Sequence, residues 1–272
     1  MILTGMKHKC LPKLRGYSID KQFAVVYQQE PSWTLQDILF RPDLTLTWDA
    51  RMEVAAQIAS LMEYFHSMGK TLGSMDPQNI LVDKDINIKL CEFGLCGTID
   101  AVRTRYKNYP VNPHDALWLT GGMYSFQVSE LMLYQARNPM EVVEWTAKCD
   151  IYCFGCLLLE LISEEHEHSL ESRYDDLKDW ATQKLAKKCE KNLVDKRLNE
   201  DSNVGVKTTR MVMACLNKCP AERPEAKRLF RALEGLKEEK NGAAQKQSGL
   251  EHEDSLGLRK WQRTGEECVR AD

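Results

Sequence analysis

Between Ala147 and Ile162 the chain reads Ala-Lys-Cys-Asp-Ile-Tyr-Cys-Phe-Gly-Cys-Leu-Leu-Leu-Glu-Leu-Ile, apolar on nearly every side of a helix. A helix without a polar face has to be wrapped by other elements, so this segment predicts the centre of a core. It is not a membrane span. Its apolar stretch, Ile151 to Ile162, falls short of the roughly 18 residues that crossing a bilayer requires. With 272 residues and 43% hydrophobic content, the chain has enough material to surround such a helix, in one domain or two.

Around that centre the pattern is mixed. Leu11–Tyr17 and Phe23–Tyr27 are short apolar runs joined by a polar link, which predicts a hairpin. Ser32–Phe40 reads as a short helix. Thr47 is placed to cap a longer one, with Asp49 complementing its positive end. Val54, Ile58, Leu61 and Phe65 then recur at helical spacing until Gly69 stops the run. Ile80–Val82 and Ile88–Cys91 read as brief strands about a turn at Asp83–Asn87. Residues 95–127 read as a long loop. Further helices are predicted near Ser169–Glu190, Lys207–Lys218 and Arg223–Glu239, and the composition then turns polar enough to predict disorder.

The net charge of −3 gives no overall basic field, which argues against nucleic acid as a partner. The N-terminus lacks the features of a secretory signal. Ten cysteines without that signal imply reduced thiols and a cytoplasmic protein. Cys149, Cys153, Cys156, Cys215 and Cys219, with His166 and His168 nearby, contain the residue types of a zinc site. Cysteine also behaves as a small buried hydrophobe, and that reading is preferred here.

The stretch Leu72-Gly-Ser-Met-Asp-Pro-Gln-Asn-Ile-Leu-Val-Asp83 is followed nine residues later by Glu92-Phe-Gly94. This frame resembles the catalytic loop H-R-D-x-x-x-x-N of protein kinases and the D-F-G that follows it. The residues that carry the chemistry differ. Leu72 stands at the His, Gly73 at the Arg, Ser74 at the catalytic Asp, and Asp76 at the Lys that steadies the transferred phosphate. Pro77 and Asn79 match, and Glu92 stands at the metal-holding Asp. Phosphoryl transfer relies on positioning, charge neutralisation and a carboxylate that orients the attacking hydroxyl. A serine hydroxyl does that poorly. A carboxylate at the Lys position also repels phosphate, by roughly 4 kcal/mol per pair of unit charges at about 4 Å and an effective dielectric of 20.

Other segments extend the resemblance from Lys7 to about Lys237. Met6–Tyr17 resembles the link between the regulatory helix and the next strand. Val25–Pro31 resembles the hinge, with Tyr27 at the gatekeeper position. A Tyr gatekeeper, Leu46-Thr-Trp48, Asp179-Trp180, Leu193–Leu198 and Glu222-Arg-Pro224 are similar to the Pelle, interleukin-receptor-associated and receptor-like kinases of the tyrosine-kinase-like group. Asp150–Gly155 matches D-x-x-S-F-G with Cys153 for Ser, which implies that Asp150 binds the catalytic-loop backbone. Val128-Ser-Glu130 stands at A-P-E, which implies a buried pair between Glu130 and Arg223.

The resemblance implies an α+β fold: a mainly helical kinase-like large lobe with only a remnant of the small β lobe. Residues 1–31 are expected to form that remnant and the hinge, 32–238 the large lobe, and 239–272 a polar disordered tail. Before His8 there is no room for the glycine-rich loop, the V-A-I-K lysine or the regulatory-helix Glu. Either a truncated product or a lineage that discarded its small lobe accounts for this.

No resident cofactor is expected. A residual ATP and magnesium site would rest on Asn79 and Glu92, beneath Tyr27, but the preferred reading keeps Asn79 within the loop's hydrogen bonding and Glu92 in solvent. Ser74 lacks a neighbouring base and reads as structural. Thr98, Thr104, Tyr106 and Tyr109 lie beside Arg103, Arg105 and Lys107, a pattern suited to phosphorylation, yet Gly73 replaces the usual arginine reader.

The functional expectation is a catalytically impaired kinase-like protein that binds protein partners in a signalling complex, with no membrane or nucleic-acid partner. The rival is an active serine/threonine kinase represented by a truncated product. Loss of the small lobe would expose Val25, Val26, Leu81 and Phe93, favouring self-association or partner binding there.

Overall fold

The computed structural model describes residues 6–18, 24–28, 33–40, 46–73, 75–91, 146–163, 177–188, 193–198 and 202–247. Strands β1 (Lys13–Ser18) and β2 (Ala24–Gln28) form an antiparallel hairpin. Leu14 pairs with Tyr27 and Gly16 with Val26, so the register breaks at Arg15 as a bulge. A second sheet has the order β3–β4–β5, with β3 (Trp33–Thr34), β4 (Ile80–Val82) and β5 (Ile88–Leu90) antiparallel throughout.

Helix α1 is confined to Leu35–Phe40. The expected start at Ser32 is corrected, because Trp33 and Thr34 pair with Val82 and Leu81. Thr34 then caps the helix, its Oγ1 accepting the Asp37 N–H at 3.0 Å. Helix α2 runs from Trp48 to Ser67, and Thr47 Oγ1 accepts from Ala50 N–H. Gly69, just past its end, has φ +67°, a conformation with little penalty for glycine.

Helix α3 (Ala147–Ser163) is buried from Cys149 to its last residue. It packs between α2 and α5 (Ser202–Cys215). Gly155 permits the approach to α5: an added Cβ would stand 2.7 Å from the Cβ of Cys215. Helix α4 spans Leu177–Lys188, and the remaining residues of the expected Ser169–Glu190 lie outside those described. Helix α5 begins five residues before the expected Lys207, and α6 (Ala226–Gln247) begins after Pro224 and lies along α2. Its backbone stays helical through Gln247, so the first residues of the segment expected to be disordered from 239 are a continuation of α6; residues 248–272 lie outside those described.

One hydrophobic core unites these elements. Arg51, 1% exposed, crosses it: Nε donates to Leu46 O at 2.9 Å and Nη1 to Leu161 O at 2.8 Å. A buried guanidinium requires such acceptors, and these tie α2 to the end of α3. This is an α+β fold, a helical body carrying two small sheets. No described helix is long and apolar enough to cross a membrane.

Candidate functional site

The loop between α2 and β4 is held from beneath by α3. Asp150, fully buried in the first turn of α3, accepts from Leu72 N–H at 2.7 Å through Oδ2 and from Gly73 N–H at 3.0 Å through Oδ1. Gly73 has φ +94°, a backbone conformation that glycine reaches without a Cβ penalty. His66, in the last turn of α2, places Nε2 2.7 Å from Asp150 Oδ2. A carboxylate oxygen only accepts, so Nε2 carries the hydrogen. The sequence reading missed His66. Its available signal was a histidine among the last helical residues, where a cation or donor suits the carbonyl-rich end.

Leu72 and Met75 are fully buried, so the loop is anchored apolarly at those positions. Ser74, between them, lies outside the described residues. Asp76 is 6% exposed, and its Oδ1 accepts from Gln78 N–H at 2.8 Å, capping the 3-10 turn Pro77–Asn79. One of its oxygens thus serves the turn, as an Asp at an N-cap does ahead of Pro at the first helical position.

Asn79 links this loop to the end of the second sheet. Its N–H donates to Asp76 O and its carbonyl accepts from Cys91 N–H, both at 2.9 Å. Glu92 follows Cys91 and lies outside the described residues. Of the pair suited to magnesium, only Asn79 is therefore placed. Among the described residues no three His, Cys, Asp or Glu side chains gather as a metal site requires. The expected cysteine group consists of free thiols, buried at Cys149, Cys153, Cys156 and Cys215 and exposed at Cys219. Tyr27 is half-buried, and its phenol is held above the ordinary tyrosine pKa by burial and then by the nearby Cys91.

At the other side of the α3 N-terminus stands Arg223, 2% exposed. Nε donates to Asn217 O and Nη1 to Lys148 O, each at 2.7 Å, and the guanidinium lies 5.0 Å from the Tyr152 ring centroid. Burial pulls its pKa down from the arginine value, against the nearby thiols and phenol. Glu130, its expected partner, lies outside the described residues, as do residues 95–127. Of the apolar surface expected above the loop, Val26 is 59% exposed and Leu81 half-buried; the side chain of Val25 and all of Phe93 lie outside those described.

A helical body, a small antiparallel sheet and a loop hung on a buried helix-borne aspartate define a kinase-like large lobe. The family profile described as protein tyrosine and serine/threonine kinase matches residues 1–233, and the chain belongs to that family. It is 30% identical over 251 residues to the serine/threonine-protein kinase PBL13 of Arabidopsis thaliana, covering 89% of this chain and 47% of that protein. It is 29% identical to BIK1 of the same plant, covering 87% and 58%, and 28% identical to a G-type lectin S-receptor-like serine/threonine-protein kinase, covering 88% and 28%. The chain thus spans between 28% and 58% of the length of these relatives.

Proposed function

We propose that this chain is a catalytically impaired kinase-like domain that works in the cytoplasm by binding protein partners in a signalling complex. The observation that carries this reading is Asp76: the residue at the phosphate-steadying Lys position is a buried carboxylate that caps its own turn. Ser74 at the base position supports it, since phosphoryl transfer needs a carboxylate there and a cation beside the phosphate. The intact anchoring of the loop by Asp150 fits a scaffold maintained without that chemistry.

The test is incorporation of radiolabelled phosphate from ATP into the chain or a generic protein substrate. The expected result is none above a Ser74→Ala, Asn79→Ala control. Incorporation that the control abolishes would overturn the proposal. It would favour the second reading, an active serine/threonine kinase, to which the names of the similar proteins point. Nucleotide binding is a separate matter. Magnesium–ATP is expected to leave the melting temperature unchanged, whereas a ligand at a hundredfold excess over its Kd stabilises by about 2.7 kcal/mol. A saturable rise that Glu92→Ala abolishes would establish a surviving nucleotide site.

A further inference from the structure

The turn that leads into β1 gathers positive charge from two separate elements. Lys7, Lys9 and Lys13 are exposed along residues 7–13, and Lys89 comes from β5. The elements are tied together: Leu90 N–H donates to Cys10 O at 2.9 Å, and Lys89 Nζ donates to the carbonyl of Lys9. His8, inside the group, registers its field. Burial lowers its pKa, and Lys9 and Lys89 push it down further. The carboxylate that also reaches Cys10, Glu53, is 2.6 Å from Lys237 of α6. Among the described residues none of the four lysines is in an ion pair.

Lys13, the last lysine of this turn, opens a strand with an unpaired edge. β1 pairs only with β2, so among the described residues its other edge presents free backbone groups. One lysine on an edge strand guards against unwanted pairing. Four cations from two elements exceed that need and form a surface complementary to negative charge. An extended peptide satisfies both features, because its backbone adds to the edge while its side chains meet the lysines.

We propose that the Lys7–Lys13 turn, Lys89 and the free edge of β1 form a docking surface for an extended, Asp- and Glu-rich peptide segment of a partner protein. The proposal rests on the reading of the chain as a binding module and names the chemistry of its partner. Association is steered by the lysines and weakens as salt screens them.

The test titrates the full chain, without nucleotide, against a fluorescent peptide of about 12 residues alternating Glu with Val and Thr. Three comparison probes are a Gln-for-Glu peptide, a proline-interrupted peptide of equal charge, and phosphatidylserine vesicles. The expected result is saturable binding of the acidic peptide alone, weakened about tenfold or more by Lys9→Glu with Lys89→Glu. Lys196→Glu with Lys227→Glu, on other surfaces, should leave it unchanged. If the first double variant fails to fold, Lys7→Ala with Lys13→Ala, both exposed, gives the same comparison. No saturable binding, equal binding of the Gln peptide, insensitivity to the lysine variants, or binding of vesicles alone overturns the proposal. Equal binding of the proline peptide overturns the edge-strand geometry. Phosphotransfer is read in a separate assay, so failure here is distinguishable from failure of the impaired-kinase reading.

Discussion

His66 Nε2 stands 2.7 Å from Asp150 Oδ2, the same oxygen that receives the Leu72 amide, so one carboxylate ties α2, α3 and the loop at a single point. With Gly73 N–H on the other oxygen, the buried Asp150 side chain receives donors from three residues. Its truncation strands all of them. Asp150→Ala is expected to cost about 3–5 kcal/mol in urea denaturation. His66→Ala should cost about 1–3 kcal/mol, since it leaves the two amide contacts in place. Amide exchange checks the mechanism: Leu72 and Gly73 should lose protection in both variants before the middle of α3 does. Uniform loss across the core would show that Asp150 acts on global packing rather than on the loop.

Gly73→Ala tests the backbone of that loop directly. At φ +94° a Cβ is strained, and the cost should be about 1–2 kcal/mol. Gly73→Arg, which installs the residue type found in active kinase loops, should cost at least as much as Gly73→Ala. Stabilisation by arginine, measured by thermal and urea unfolding, would mean that the loop relaxes into another conformation.

Gly155→Ala places a methyl 2.7 Å from the Cβ of Cys215, in the contact between α3 and α5. Alanine ordinarily favours a helix, but overpacking here should win and destabilise by about 1–3 kcal/mol. Cys215→Ala should not rescue it, because the clash is with Cβ rather than sulfur. Cys215→Gly should relieve it in part. A neutral Gly155→Ala in calorimetry would show that the two helices separate at little cost.

The pH dependence turns on His8. Its Nδ1 accepts from Cys10 N–H at 3.2 Å, and Nε2 lies 3.3 Å from Ser60 Oγ, so the folded environment requires an unprotonated Nδ1. Burial, then Lys9 and Lys89, lower its pKa below the ordinary histidine value of 6.5. The unfolded chain therefore binds more protons just below pH 6.5. Stability should fall as pH drops through 6.5 and level off below the folded pKa, with no effect of this group above that window. His8→Gln should flatten that part of the profile in denaturation curves recorded from pH 8 to pH 5. An unchanged slope would remove His8 as its source.

How much of this was legible beforehand depended on distance along the chain. Thr47 capping α2, the all-round apolar α3 and the turn at Asp83–Asn87 are decided within a few residues, by capping hydrogen bonds and periodicity. The frame around Asn79 and Asp150 was visible for the same reason, as short ordered motifs. What the sequence concealed was the choice of partner. Trp33 and Thr34 pair with residues nearly fifty positions away, so a local helix pattern gave the wrong start for α1. His66 and Asp150 are 84 residues apart, and neither neighbourhood names the other. Asp76 showed its charge in the sequence but not that the turn had claimed one of its oxygens. The sequence by itself determined the capped helix α2, the buried centre and the replaced loop residues, because those depend on local geometry and residue chemistry. Only the tertiary structure decided which buried donors meet which acceptors, because every such group must be satisfied by whichever neighbours the folded path brings within about 3 Å.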